Sequence, residues 1–252
     1  MILLAIDTSG KDGSLALARV PDGLAPAQAA SSGIEIVEVM PLEGGTFSAQ
    51  LVPQISALLE KHGLSKNDID AFAAATGPGS FTGLRVGLAA IKALAEVLQK
   101  PIAAVSRLEA MAYELALAGR TLTEESSPID RIALALDASR GEVFLGEAEY
   151  DEGEALPKTF RESLVSLEEL AEKANHWGRG VDIYTPDENV WEFLRSKATD
   201  PFLFNTRSTD RPNSVSIARL GAVKLQIGAI ASPEALEANY IRRSDAEIFA
   251  NK

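Results

Sequence analysis

The chain has 252 residues, 46% of them apolar, enough for one large domain or two smaller ones with hydrophobic cores. It contains no cysteine and only two histidines, His62 and His176, far apart in sequence; this excludes disulfides, thiolate nucleophiles and helical histidine pairs that bind metal. The formal net charge of −12 repels polyanions, so direct nucleic-acid binding is not expected.

Strands and helices alternate through the first half of the chain. The apolar runs ILLAID and SLALA, separated by the turn residues TSGKDG, predict a β-hairpin. Apolar residues at helical spacing then predict a helix over 48–62, ended by Gly63. The other elements predicted in this half are strands over 34–40, 71–76 and 102–105 and helices over 84–99 and from Ser106 to about Leu117.

The second half begins with a repeat of the first hairpin signal. Ala135-Leu136-Asp137-Ala138-Ser139 has the pattern of Ala5-Ile6-Asp7-Thr8-Ser9, although turns containing Asp and Gly are common enough for a chance match. If the repeat is real, the chain consists of two related α/β lobes, 1–105 and 106–252, with the last helix docking back on the first lobe. The later predicted elements are a helix from Ser166, a strand over 181–184, a helix over 188–197, a short strand PFLF at 201–204 and a helix over 214–227.

A glycine-rich loop, ATGPGSFTGLRVG, begins at Ala75. A loop that leads from a strand into a helix is typical of anion sites, but the spacing of Gly77, Gly79 and Gly83 matches neither the dinucleotide fingerprint nor a Walker loop. Actin-like ATPases instead place nucleotide between two hairpins whose carboxylates reach Mg²⁺, and Asp7 and Asp137 occupy such positions. The Gly-Gly turn that holds adenosine in the second lobe of those proteins is missing, because the chain's Gly-Gly pair, Gly44-Gly45, lies in the first lobe.

Small residues recur at every fourth position in this loop and the helix after it, at Gly79, Gly83 and Gly87. Such a strip allows another element to approach the helix closely. The rest of the helix is almost wholly apolar, which indicates cover on more than one side. The covering helix is either the chain's own helix 48–62 or a helix of a partner, and the sequence leaves both open.

With these residues in view, the chain resembles the TsaB (YeaZ) family, the non-catalytic component in the synthesis of threonylcarbamoyladenosine in tRNA. The matching motifs are LAIDTS, the segment from LVPQISALL through TGPGSFTGLRVG to SRLEAMA, LDASRGEVFLG and the closing ANYIR. The resemblance implies a duplicated actin-like (ASKHA) fold with mixed sheets, no catalytic residues, no cofactor and no metal. Phe47 and Ala238 depart from the family pattern, where histidine and proline are common.

The partners that the resemblance implies are the paralogue TsaD as a heterodimer, the ATPase TsaE, and a second copy of the chain in isolation, with tRNA reached only through the complex. The resemblance also implies a cytoplasmic protein, which fits the absence of cysteine; we expect no membrane helix and no targeting signal, because no apolar run is long enough and no basic leader precedes Asp7. An actin-like ATPase or kinase that uses Asp7 and Asp137 for Mg-nucleotide is the alternative function.

Two groups of site residues follow. The expected partner interface lies on helices 48–62 and 81–99, with Gly83 and Gly87 setting how closely the partner approaches; its residues are Leu51, Ile55, Leu58, Phe81, Gly83, Leu84, Gly87, Ala90, Ile91 and Leu94. The residues expected near an anion or nucleotide are Asp7, Thr8, Ser9, Gly77, Gly79 and Ser80.

Overall fold

The computed structural model describes residues 1–21, 33–122, 131–152, 154–199 and 205–242. The chain divides into two compact units. Unit 1 comprises Met1–Ala110 and Pro212–Tyr240, and unit 2 comprises Met111–Arg211 and Ile241–Lys252. Among the described residues, no helix is both long and apolar enough to cross a bilayer.

Unit 1 is built on a five-stranded sheet with the order β3-β2-β1-β4-β5. The strands are β1 (Ile2–Asp7), β2 (Gly13–Arg19), β3 (Glu35–Leu42), β4 (Ala71–Gly77) and β5 (Ile102–Ser106). The first three are antiparallel neighbours, whereas β4 and β5 run parallel to β1. This confirms the predicted opening hairpin, and it places the carboxyl ends of β1, β4 and β5 at one edge of the sheet.

Helices cover both faces of this sheet. On one face, side chains such as Leu4, Ile6 and Phe72 form a core with α1 (Phe47–Lys61) and α2 (Phe81–Leu98). On the other face lies α6 (Ser214–Gln226), which contacts β1, β4 and β5. The approach of α6 is close, because a Cβ added to Gly221 would lie 2.5 Å from the Cβ of Ala73. The alanines of β4 therefore make room for this helix.

Unit 2 repeats this topology. Its sheet has the order β8-β7-β6-β9-β10, with β6–β8 antiparallel and β9 and β10 parallel to β6. The strands are β6 (Arg131–Asp137), β7 (Glu142–Glu149), β8 (Thr159–Ser166), β9 (Asp182–Thr185) and β10 (Asn205–Ser208). The helices α4 (Leu167–Trp177) and α5 (Glu188–Lys197) pack on it around Leu170, Val190 and Leu194. The predicted duplication and the predicted mixed α/β fold are confirmed, because two five-stranded mixed sheets of the same topology are each flanked by helices.

Several element boundaries differ from the sequence prediction. Helix α2 begins earlier, at Phe81, because the Ser80 hydroxyl accepts a hydrogen bond from Gly83 N and caps it. Helix α3 (Arg107–Leu122) extends past Leu117 and joins the two units in sequence. Strand β8 was not predicted, and the predicted PFLF strand at 201–204 lies outside the described residues.

Candidate functional site

The glycine-rich loop lies directly on the turn between β1 and β2. Strand β4 ends at Gly77, whose φ of +123° favours glycine, and the Gly77-Pro78 peptide is cis. Ser80 N donates to Ser9 O at 2.7 Å. A Cβ on Gly79 would lie 2.4 Å from the same oxygen, so a larger residue would push the loop away from the turn. The loop and the turn are therefore one packed unit.

The glycines at the start of α2 contact this turn rather than a partner helix. A Cβ on Gly83 would lie 2.0 Å from Thr8 O, and one on Gly87 would lie 2.3 Å from Thr8 Oγ1. Thr8 Oγ1 also donates to Gly83 O at 2.8 Å. The close approach predicted from the small-residue strip does occur, but Thr8 of the same unit makes it. This corrects the expectation that Gly83 and Gly87 set the distance to a partner.

The carboxylate of Asp7 is occupied by neighbours within unit 1. Its Oδ1 accepts hydrogen bonds from Ser9 N at 2.9 Å and from Ser9 Oγ. Its Oδ2 lies 3.5 Å from Arg107 Nε, and Arg107 Nη1 donates to Pro78 O at 3.0 Å. The structure thus brings the residues expected near an anion together, but they contact one another and Arg107.

The corresponding aspartate of unit 2 has a different environment. Asp137 Oδ1 accepts from Ser139 N at 2.8 Å, and its Oδ2 accepts from Asn189 Nδ2 at 3.3 Å. The guanidinium at this edge belongs to Arg211 and pairs with Asp187, whose Oδ2 accepts from Asp137 N. In the described part of the chain, no three His, Cys, Asp or Glu side chains cluster as a metal site.

The residues of the expected partner interface fall into two groups. Phe81, Ala90 and Leu94 are half-buried. The others lie in the interior of unit 1 and cannot reach a partner without rearrangement: Leu51, Ile55, Leu58, Gly83, Leu84, Gly87 and Ile91.

The solvent-facing side of the same two helices carries mostly small or apolar residues, with the charges of Arg85 and Glu96 on α2. Val97 is 73% exposed and Val52 56% exposed, and Ser56, Ala89 and Ala93 are exposed residues with short side chains on the same two helices. From Phe47 to Leu59 the chain has no charged residue. We call the exposed residues Val52, Ser56, Ala89, Ala93 and Val97 the α1–α2 surface.

The segment after α6 extends along the start of α2. Leu236 is buried in the core of unit 1, and Asn239 N donates to Thr76 O at 2.7 Å. The Tyr240 ring then lies 5.0 Å from the Phe81 ring, and its hydroxyl accepts from Arg85 Nε at 3.0 Å. The guanidinium of Arg85 covers the Phe81 ring at 3.7 Å. Together these residues form an exposed aromatic and cationic cluster beside the α1–α2 surface.

The comparisons with known proteins identify the family. The model of the family described as "TsaD: tRNA N6-adenosine threonylcarbamoyltransferase" matches residues 42–223. The tRNA threonylcarbamoyladenosine biosynthesis protein TsaB of Bacillus subtilis is 29% identical, over 98% of this chain and 96% of its own length. The chain belongs to the TsaB (YeaZ) family. The TsaB of Escherichia coli is 33% identical over 60% of this chain and 57% of that protein.

A solved YeaZ-like structure has the same fold. The crystal structure of a Pseudomonas aeruginosa protein, described as similar to the peptidase YeaZ, superposes with a TM-score of 0.66 at 25% identity. The superposition covers 96% of this chain and 99% of that one. The two-unit architecture is therefore that of the TsaB (YeaZ) family along the whole chain.

Sequence reasoning missed three features of this TsaB-family chain. The exposed stripe of Ala89, Ala93 and Val97 has a signal, because the three residues recur at every fourth position beside the glycine strip. Arg107 also has a signal in the sequence, since a cation directly after the capping Ser106 is unusual at the positive end of a helix. The contact of Tyr240 with Phe81 has no signal in the sequence, because the two residues are far apart along the chain.

Proposed function

We propose that this chain is the non-catalytic subunit of a complex that makes N6-threonylcarbamoyladenosine at position 37 of tRNA. In this role it binds and stabilises the catalytic paralogue TsaD. The proposal is supported by the names of the TsaB relatives and by the match to a family model that describes the transferase. The single observation that carries the binding role is the α1–α2 surface.

The α1–α2 surface has the properties of a protein interface. It is formed by two helices that contact each other, its exposed side chains are small or apolar, and α1 carries no charge before Glu60. Surface helices in soluble monomers normally present many charged residues to solvent, so an exposed face whose charges lie only toward its ends, at Arg85 and Glu96, indicates a partner. Short side chains such as Ala89 and Ala93 also let a partner helix approach closely.

The functional groups of the chain support a subunit without its own chemistry. The Nε2 of His62 lies 2.7 Å from Glu38, and His176 is exposed in the last turn of α4. The chain contains no cysteine, and the described contact of His62 is with a carboxylate rather than with a serine, which argues against a peptidase. We therefore assign the transfer reaction to the paralogue.

The same surface suits self-association when TsaD is absent. In an antiparallel pair of α2 helices centred near Ala90 and Ile91, Arg85 of one copy would lie opposite Glu96 of the other. Opposite charges at the two ends of an otherwise uncharged contact favour this register. We propose that this homodimer competes with the heterodimer, that TsaE joins the same assembly, and that the complex is cytoplasmic.

The alternative function, an actin-like ATPase that uses Asp7 and Asp137, is less well supported. In unit 1 the loop and the β1–β2 turn are in direct backbone contact, because Ser80 N donates to Ser9 O, so this amide at the start of α2 is already paired within the unit. Asp7 also faces Arg107 instead of open solvent, and a guanidinium beside a carboxylate disfavours Mg²⁺ there.

A charge placed on the α1–α2 surface tests the proposed function. Ala93→Glu should abolish co-purification with TsaD from the same organism and shift the isolated chain to monomer in mass photometry, because burying an unpaired carboxylate is costly. At protein concentrations where the wild type is also monomeric, the thermal midpoint of the variant should stay near that of the wild type, since Ala93 is exposed.

The matched control is Ile227→Glu. Ile227 is an apolar residue of unit 1 that is 50% exposed, and it follows α6 on the opposite face of the sheet. This variant should keep TsaD binding. Retained binding by Ala93→Glu, or equal loss in both variants, would contradict the proposal.

A further inference from the structure

A buried ion pair lies at the carboxyl edge of the unit 1 sheet. Asp7, the last residue of β1, and Arg107, the first residue of α3, are each 5% exposed. The first turn of a helix disfavours a cation, and burial adds a desolvation cost. Apolar pairs of similar volume often stabilise a fold as well or better. Stability alone therefore does not explain this pair.

The contacts of the pair lead to the start of α2 by two routes. Arg107 Nη1 donates directly to Pro78 O at 3.0 Å. On the second route Asp7 Oδ1 accepts from Ser9 N, and Ser9 O accepts from Ser80 N at 2.7 Å. Ser80 is the residue that caps α2. Both routes thus end within the last residues before that helix.

The described contacts of the Arg107 guanidinium are an ion pair with Asp7 and a hydrogen bond to the carbonyl of Pro78. They do not satisfy all of its N–H donors. Its Nε has no hydrogen-bond acceptor and lies 3.5 Å from Asp7 Oδ2. A guanidinium normally pairs with a carboxylate through two parallel hydrogen bonds. Here one arm of the fork is directed to Pro78 O instead. The arginine is therefore placed between the turn and the loop, where it holds both.

We propose that Arg107 is a positioning residue for the α1–α2 surface. By holding Pro78 and the Asp7 turn, it fixes the N-terminal end of α2, and so it sets the affinity for the partner without touching it. Helix α2 is continuous from Phe81 to Leu98 and carries Ala89, Ala93 and Val97, so a shift at its start moves the exposed stripe. This inference rests on the proposed function, because it takes the α1–α2 surface as the binding site.

Unit 2 provides an internal comparison. At the equivalent edge of its sheet, Arg211 pairs with Asp187, but the Arg211 side chain is 51% exposed. The neighbouring Asp137 accepts from the amide of Asn189 rather than from a guanidinium. An arginine at a similar place in the same topology, outside the surface proposed to bind the partner, is a matched control for charge and residue type.

The test compares Arg107→Met with Arg211→Met in the full chain. The affinity for TsaD of the same organism is measured at a temperature where both variants are folded, and amide hydrogen exchange is followed at Ser80, Gly83 and Leu84. Arg107→Met should weaken binding at least about tenfold and speed exchange at these amides. Arg211→Met should change the affinity by less than about twofold.

The double variant Asp7→Asn with Arg107→Met separates the effect of Arg107 on the affinity for TsaD from its effect on the stability of the fold. It removes both buried charges, so the thermal midpoint should recover relative to Arg107→Met. The affinity should stay low, because Pro78 O still lacks its donor. Recovery of affinity together with stability would show a purely structural role and overturn the inference.

Three further outcomes are decisive. Unchanged affinity and unchanged exchange in Arg107→Met would also overturn the inference. If that variant does not fold, Arg107→Lys keeps the charge but shortens the reach to Pro78 O, and normal exchange at Ser80 would count against the positioning role. If the wild-type chain itself does not bind TsaD, the proposed function fails, while the exchange measurement still decides whether Arg107 fixes the loop.

Discussion

At the scale of single residues, the glycines of α2 show how a sequence pattern can be correct about distance and wrong about the neighbour. The repeat of Gly83 and Gly87 predicts a close approach, and the structure has one. The pattern carries no information on which element approaches, because any backbone or short side chain can fill the space. A bulky residue at Gly87 would therefore disturb Thr8 and unit 1 itself, so it would not report on the partner alone.

Gly83→Ala should destabilise the isolated chain by about 1–3 kcal/mol, the usual cost of overpacking a filled site. The added Cβ would meet Thr8 O, a backbone atom that cannot turn away. Chemical denaturation measures the change. Alanine has the higher helix propensity, by about 1 kcal/mol, so a net stabilisation would contradict the packing described for this turn.

Gly180→Ala serves as the control for this substitution. A Cβ at Gly180 would meet nothing within 4 Å, and its φ is not in the left-handed region. Its effect should remain within about 0.5 kcal/mol of the wild type, as for most surface substitutions.

At the scale of elements, a helix start can be predicted from sequence where a capping box marks it, because that signal is local. The start of α4 is an example: Ser166 N donates to Glu169 Oε2 at 2.8 Å, and Glu169 N donates to Ser166 Oγ at 3.1 Å. This capping box is legible in the sequence as Ser and Glu three residues apart. Hydrogen bonds from the Ser166 backbone and hydroxyl lower the pKa of Glu169 below its ordinary value of 4.5.

Glu169→Gln should lower the thermal midpoint at about pH 7 and have little effect at about pH 3. A carboxylate with a lowered pKa in the folded state adds stability above its unfolded pKa, and that stability is lost as the pH falls through the folded value. Thermal unfolding at several pH values measures the difference from the wild type.

Glu172→Gln, an exposed position on the same helix, is the control and should give a smaller difference. A Glu169→Gln difference that persists at about pH 3 would mean that the charge of Glu169 does not act through the cap.

Other elements could not be predicted because their causes are not local. Strand β8, TFRESLVS, lies at the sheet edge with mostly half-exposed residues, so it has neither a continuous apolar run nor a clean alternation. The partner of Arg107 is set by where the carboxyl ends of β1 and β5 lie in the sheet, which a linear sequence does not state. The same holds for the expected interface residues on α1 and α2: helical periodicity identified their apolar faces but did not say that these faces meet the chain's own sheet.

At the scale of the whole molecule, charge determines what the chain can bind directly. The described arginines near its end are largely paired: Arg207 with Asp182 at 3.0 Å, Arg211 with Asp187, and Arg242 with Glu142. Arg243, which the sequence adds to this basic group, lies outside the described residues. With a formal charge of −12, the average field opposes tRNA.

The isolated chain should therefore bind tRNA more weakly than about 100 μM at physiological salt, the weak end of non-specific binding. Filter binding or fluorescence anisotropy with labelled tRNA measures this. A mixture of the chain with TsaD is the positive control and should bind the labelled tRNA, since we propose that tRNA is reached through the complex. Tight, salt-dependent binding by the isolated chain would contradict this expectation.

The two-part composition of unit 1 affects how the protein folds on the ribosome. Helix α6, at Ser214–Gln226, covers one face of the sheet formed by β1, β4 and β5, and its Gly221 approaches Ala73. That face is thus complete only after Gln226 has been translated, when the strands β6–β10 of unit 2 have already been made. During synthesis this alanine-bearing surface of the sheet therefore stays without its covering helix from Ser106, the end of β5, until α6 begins at Ser214.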